Sequence, residues 1–285
     1  MLKTLNNYKP SGRVNPVAPL FLAVGLLLTL ALSFLYAYLI ENNPFIYLSL
    51  LIFAGFVIGL AMITIFTVSF GKIRNVTVGI IIGLLTGLTA LYVSWAVMLP
   101  AIVGDMVNTR QLLTSPDQMW HLINFISRAG WYSIFGVEIH GFLLWLIWGL
   151  EALGIVLVPI YSGYDRVKSH LFCENCKTWS VEENNFLCFY YPDKPLLLDQ
   201  LQRGDLSFFQ QANAIELPPE KNFYALDIEK CENCKNIFTL ALVENEKDKD
   251  DFIKQLIIKG LLIDKTLYEQ LREKQPLFPA VSINN

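Results

Sequence analysis

Long unbroken runs of apolar residues fill the first 160 positions of the chain, and short, mixed runs take over after them. A helix crosses a bilayer core with roughly 20 consecutive apolar residues. Four stretches meet that demand: 16–40, 44–70, 76–103 and 142–161. The first three carry no charge, and the fourth carries only Glu151. The first run is much longer than the roughly 7–15 apolar residues of a secretory signal, so it reads as an uncleaved membrane helix. Between the third and fourth runs, Ser115-Pro116-Asp117-Gln118 has the form of a helix start, with Ser as N-cap, Pro first and Gln three after the cap. Met119, Leu122, Ile123 and Ile126 then make an apolar stripe that stops before Gly130, which predicts an external amphipathic helix over 116–129. Trp120, Trp131 and Tyr132 suit the membrane interface, and His121, Glu138 and His140 read as parts of a solvated loop.

Past Tyr164 the pattern becomes that of a small mixed domain. Strand-like runs occur at Val167–Phe172, Phe186–Tyr191, Asn222–Ile228 and Ile237–Val243, with helix-prone stretches at 195–202 and 205–213. Two short C-terminal helices are predicted, Phe252–Lys259 capped by Gly260, and Lys265–Lys274 started by Asp264 and stopped by Pro276. Leu267 and Leu271 would share one face of the latter. The chain thus divides into an α-helical membrane bundle of four transmembrane helices, 1–164, and a small α+β domain, 165–285.

Composition sharpens this division. The apolar fraction of 54% against 16% charged, with mean hydropathy +0.43, lies outside the range of ordinary soluble domains. Residues 1–164 carry seven Lys/Arg and five Asp/Glu; residues 165–285 carry fifteen and twenty, a net of −5. Lys3, Lys9, Arg13, Lys72, Arg74, Arg166 and Lys168 all fall on one side of the four runs, and only Arg110 and Arg128 fall on the other. The positive-inside rule then places both termini in the cytoplasm of a cell bounded by this inner (plasma) membrane.

Small residues mark the helix faces that approach closely. Gly79, Gly83 and Gly87 repeat at four-residue spacing in the third run, and Gly55 and Gly59 do so in the second. Such faces serve packing inside a bundle, a homo-oligomer or a pore seam, with packing the plainer use. Glu151 costs about 2.5–3.5 kcal/mol at mid-bilayer depth, so it should face protein or water. It shares a face with Leu144, Trp148, Ile155 and Val158, and Thr86, Thr89 and Ser94 lie at comparable depth. A proton or cation relay would need a second ionisable residue in the runs, and there is none. A protonated carboxyl hydrogen-bonded to a neighbouring helix is the reading that remains.

All five cysteines lie in the polar half. Cys173-Glu-Asn-Cys176-Lys177 recurs as Cys231-Glu-Asn-Cys234-Lys235, each copy set beside strand-like runs. A Cys-x-x-Cys turn at a hairpin tip aims two thiolates at one point, and two such tips supply the tetrahedral four-sulfur set of structural zinc. Asn175 and Asn233 suit a left-handed turn, and Lys177 and Lys235 offset thiolate charge. These residues resemble the zinc ribbons as a motif class, over about 165–245. The resemblance implies a structural zinc held by Cys173, Cys176, Cys231 and Cys234. The segment 177–230 between the two turns exceeds the usual 15–20 residues and must be an insertion. Iron, redox dithiols and disulfides are the rival uses. No helix follows either pair as in thioredoxin-like motifs, and the cytoplasmic side is reducing. Cys188, inside Phe186-Leu-Cys-Phe189, reads as a core thiol, and His170 as a spare ligand.

Four protein ligands leave no open position for zinc catalysis. No phosphate-binding loop, nucleophile elbow or paired-acid motif occurs, so no catalytic residue is assigned. The net charge of −5 disfavours nucleic acid, which leaves the lipid bilayer and a protein partner. The reading is a non-enzymatic, membrane-anchored zinc-ribbon module for interaction or sensing. The alternative is a small transporter or channel built on the glycine-faced helices and Glu151.

Overall fold

The structure is a computed structural model that describes residues 5–43, 45–104, 107–134, 137–215, 219, 221–248 and 251–278. Four long helices form the first half: α1 (Ala18–Glu41), α2 (Ile46–Phe70), α3 (Val76–Val103) and α6 (Gly141–Lys168). All four are long and apolar enough to cross a membrane. Proline at the first turn opens α1, and the Asn75 side chain caps α3 by accepting the Val78 N–H. The last helix runs on to Lys168, seven residues beyond the expected end. Residues 167–168 are therefore helix, not the start of a strand. Nothing in Tyr161–Lys168 breaks a helix, and Arg166 donates from Nε to Ser69 Oγ of α2 at 2.8 Å.

The α3 glycines face α6. A Cβ on Gly79 would come 2.6 Å from the Gly163 carbonyl oxygen, and one on Gly87 would come 2.8 Å from the Val156 Cα. Gly83 meets the backbone at Pro159 in the same way. Backbone thus touches backbone along this seam, the close approach that small residues permit. In α2, Gly59 abuts Leu32 of α1, whereas Gly55 meets nothing within 4 Å. Between α3 and α6 lie α4 (Thr109–Thr114), α5 (Pro116–Ala129) and a hairpin of β1 (Tyr132–Ile134) and β2 (Val137–Ile139). Ser115 sits at the N-cap of α5 without a side-chain cap bond, and Gln118 accepts from Gln111 instead of closing a capping box. The hairpin was not legible as strand, being only three residues a side. Ile123 and Ile126 of α5 bury against Ala96, Leu99, Leu144 and Trp148.

The chain divides into two compact units, residues 11–168 and a second one that joins residues 1–10 to 169–285. The second unit is built on a five-stranded antiparallel sheet in the order β6-β5-β7-β8-β9. These strands are β5 (Val181–Tyr190), β6 (Asn213–Ala214), β7 (Phe223–Lys230), β8 (Phe238–Asp248) and β9 (Asp251–Ile263). A separate two-residue hairpin, β3 (Phe172–Cys173) and β4 (Thr178–Trp179), precedes them. Helix α7 (Lys194–Gln202), a 3-10 turn (Leu206–Gln210) and α8 (Lys265–Lys274) complete the unit. Asp193 and Asp264 cap α7 and α8 by accepting from Leu196 N–H and Leu267 N–H.

One sheet face carries the main core, with Leu187, Phe189, Leu226, Leu240 and Leu261 against Leu197, Phe208 and Leu271. Cys188 points to the other face and packs with Phe223, Ala225 and Val243. That explains why 186–189 is apolar without alternation: β5 is buried on both faces.

The segment Phe252–Lys259 is a strand, not the expected helix. Two register shifts in its pairing with β8 give β9 two extra residues, at Leu240/Leu242 and at Leu242/Val243. Each extra residue reverses the side-chain alternation, so the apolar residues fall out of period two. Gly260 lies at φ +75 within β9 instead of ending a helix. The edge of β9 is covered by the N-terminal arm: Leu262 N–H donates to Asn6 O at 2.8 Å, and Tyr8 N–H to Gly260 O at 2.7 Å.

Candidate metal centre

The first Cys-x-x-Cys turn closes the β3–β4 hairpin, where Cys173 pairs with Thr178 and Phe172 with Trp179. The second lies in the β7–β8 connection, where the Lys235 N–H donates to Cys231 O at 2.9 Å. The residues that turn left-handed are Lys177 (φ 55) and Lys235 (φ 50), and neither Asn175 nor Asn233 does so. The tight bend therefore follows the second cysteine of each pair and is not centred between the two.

The four Sγ atoms of Cys173, Cys176, Cys231 and Cys234 lie within 4.8 Å of one another, so the cluster can hold a metal ion. All five cysteines are free thiols. The Cys173 and Cys234 sulfurs stand 3.6 Å apart. A disulfide spans about 2.05 Å. Zinc–sulfur bonds of about 2.3 Å put the edge of a four-sulfur tetrahedron near 3.8 Å, and the observed separation fits that figure. Cys173 and Cys231 are buried, while Cys176 and Cys234 are half-buried. Cys188 lies elsewhere, on the far face of β5, its thiol directed at the Asn185 carbonyl.

Proton affinities in the cluster diverge. Burial opposes ionisation of Cys231, but the amide N–H groups of Cys234 and Asn233 donate to its sulfur, and the thiol comes down to about 6. Cys176, which bonds to the Cys234 sulfur, is pushed up to about 12. Burial raises Cys173. Four thiolates side by side repel one another, and a cation held among them would favour their ionisation.

A buried carboxylate that the sequence reading passed over joins the two turns. Glu229, two residues before Cys231 on β7, accepts the Leu171 N–H at 2.7 Å. The His170 Nδ1 and Ser180 Oγ each lie 3.2 Å from its oxygens. Burial works against its charge, but the bonds from His170 and Leu171 hold its carboxyl below the usual range. His170 is thus engaged by Glu229, and it forms with Glu182 and Glu229 a second group within 4.8 Å. Ser180 also donates to Leu171 O at 2.8 Å. The hairpin that carries Cys173 and Cys176 is in this way fastened to the strand that carries Cys231. Asp227, the next acid on β7, serves β5: its carboxylate accepts the Asn185 N–H at 2.6 Å, at the bulge where Asn185 has φ 55. The available signal was the pair of acids at 227 and 229 in a mostly apolar central strand, since buried carboxylates require partners.

Glu151 does not meet its expected partners. Ser94 donates to Leu91 O at 3.1 Å, and among the described residues no hydrogen bond or ion pair reaches Glu151. It borders a cavity that Ser94 also lines. No known protein family matches this chain, and no curated protein or solved structure does either.

Proposed function

We propose that this chain is a multi-pass protein of the plasma (inner) membrane whose C-terminal unit is a cytoplasmic, zinc-stabilised interaction module. The observation that carries this reading is the convergence of four free thiols from two matching turns within 4.8 Å. Four sulfur ligands would complete the coordination of one zinc ion, so the metal supplies cross-linking and not catalysis. Cys173 and Cys176 would be tied to Cys231 and Cys234 across 54 residues of intervening chain, which is where a cross-link stabilises most. The negative charge of the module favours a protein partner over nucleic acid. The basic flanks of α1, α2 and α6 favour cytoplasmic termini.

Elemental analysis of the full chain purified in detergent tests the reading. One zinc per chain is expected, lost in Cys173→Ser and in Cys231→Ser and retained in Cys188→Ser. A metal-free chain that keeps its folded spectrum, or a Cys188→Ser variant that loses zinc, overturns it. Reporter fusions at residue 285 and after Phe70 should read as cytoplasmic, and fusions after Ile40 as external. An external C-terminus would contradict the topology.

A further inference from the structure

The helical unit carries a half-open cavity of about 740 Å³. That volume falls in the range that holds a drug-sized ligand, roughly 300–1,000 Å³. Its walls come from the C-terminal parts of α1 and α3 and the N-terminal parts of α2 and α6. It therefore sits in the half of the unit that also carries α5. The walls are strongly aromatic: Tyr36, Phe53, Trp95, Trp131 and Trp148 all line it. Three tryptophans meet edge to face, Trp95–Trp148 at 5.0 Å, Trp131–Trp148 at 5.4 Å and Trp95–Trp131 at 5.5 Å between ring centroids.

Against these rings stands the carboxyl group of Glu151. Among the described residues no Lys, Arg or His lines the space. Of the other polar groups at its wall, Asn43 donates to Phe45 O and Ser49 Oγ, and Ser94 donates to Leu91 O; the Tyr36 hydroxyl and the indole N–H groups line the same space. Leu50 and Leu150 at its border are 70% and 62% exposed on the apolar outside of the unit, which gives an apolar molecule a way in.

We propose that this cavity binds a lipophilic organic cation, an ammonium or phosphonium with apolar substituents, with Glu151 as its counter-ion. The charge argument selects the sign. A carboxylate alone among apolar groups is costly, and a cation beside it removes that cost. The aromatic walls select the same class, because ring faces attract cations, and desolvated organic cations most of all. A bound cation takes the place of the carboxyl proton, whereas a neutral apolar guest or an anion gains nothing from Glu151. The proposal is independent of the metal centre, which lies in the other unit.

Tetraphenylphosphonium is the probe, with tetraphenylborate as the same shape with the opposite charge. Equilibrium dialysis would use the full chain in phosphatidylcholine nanodiscs, with empty nanodiscs for the partition background. The expected result is saturable binding of one tetraphenylphosphonium per chain and no saturable tetraphenylborate. Glu151→Gln should weaken binding at least tenfold, and Glu151→Asp should stay within a few-fold of the parent. Ala152→Phe, which fills the cavity and leaves the carboxyl in place, should abolish binding. Equal affinity for the two probes, or undiminished binding in Glu151→Gln or Ala152→Phe, overturns the proposal. Should a variant fail to fold, the comparison of cation with anion on the parent chain decides alone.

Discussion

Replacing Glu229 with Ala should loosen metal binding without touching a sulfur ligand. The carboxylate accepts the Leu171 N–H at 2.7 Å, and Leu171 is almost wholly buried. Truncation leaves that N–H without an acceptor, at a cost of about 1–3 kcal/mol. The β3–β4 hairpin keeps its own bonds, since the Ser180 N–H still donates to Leu171 O at 2.9 Å. The loss therefore falls on the link between the hairpin and β7, which sets the distance between the two cysteine pairs. Groups that orient metal ligands in this way typically change metal affinity by about 10–100-fold when removed. Glu229→Gln keeps a carbonyl oxygen for the Leu171 N–H and should fall near the lower end, about tenfold. The assay is zinc competition against a chromogenic chelator at pH 7.5, with the full chain in detergent. Asp227→Asn is the control, because Asp227 is held in the same strand but serves the β5 bulge. It should lower the melting temperature and leave zinc affinity within about threefold. Unchanged zinc affinity in Glu229→Ala, or an equal loss in Asp227→Asn, would refute the clamp.

Three further outcomes are expected. Lys177→Gly and Lys235→Gly should each raise stability by about 0.5–1 kcal/mol, because both lysines sit in left-handed backbone that glycine adopts without strain; a lower melting temperature would show that their side chains matter more than their backbone. Removing residues 5–10 should speed amide exchange at Leu262, whose N–H is held by Asn6, and leave α7 protected; an unchanged Leu262 rate would contradict the arm's role. Tyr224 is pushed up to about 12 by burial and by the neighbouring Glu244, to which its hydroxyl donates at 3.1 Å. The unfolded chain ionises this phenol first, near 10, so its contribution is intact below pH 10 and lost as pH rises towards 12. Alkaline melts should therefore be flatter in Tyr224→Phe, and identical pH profiles would count against it.

What was legible in the sequence, and what was not, follows from how local each constraint is. Helix α3 spans 76–103 in the fold as in the pattern, because an apolar run of that length has one way to satisfy its backbone where water is absent. The two cysteine pairs were legible because a turn with ligands three positions apart carries its geometry within five residues. The left-handed residue within that turn was not legible from propensity. Asparagine tolerates the conformation better than lysine, yet the bend falls at Lys177 and Lys235, where the hairpin must reverse after its second sulfur. Strand β9 was hidden by its own irregularity: Phe252, Ile253, Leu256 and Ile257 copy a helical period because two extra residues interrupt the alternation.

The arm at 5–8, the clamp at Glu229 and the setting of Glu151 share a different cause. Each depends on partners from 53 to 256 residues away in the chain, Leu262 and Gly260 for the arm, Leu171 for the clamp, and the walls of α1, α2 and α3 for the cavity. Local periodicity has no access to such partners. What it does expose is the cost: an acid placed where charge is expensive. Glu229 and Glu151 both carried that mark in the sequence, and they resolve differently. Glu229 is met by an amide and its neighbours inside the fold, so its charge serves the fold. Glu151 meets neither a hydrogen bond nor an ion pair among the described residues and borders an aromatic-lined cavity, so under the proposal above its partner would come from outside the chain.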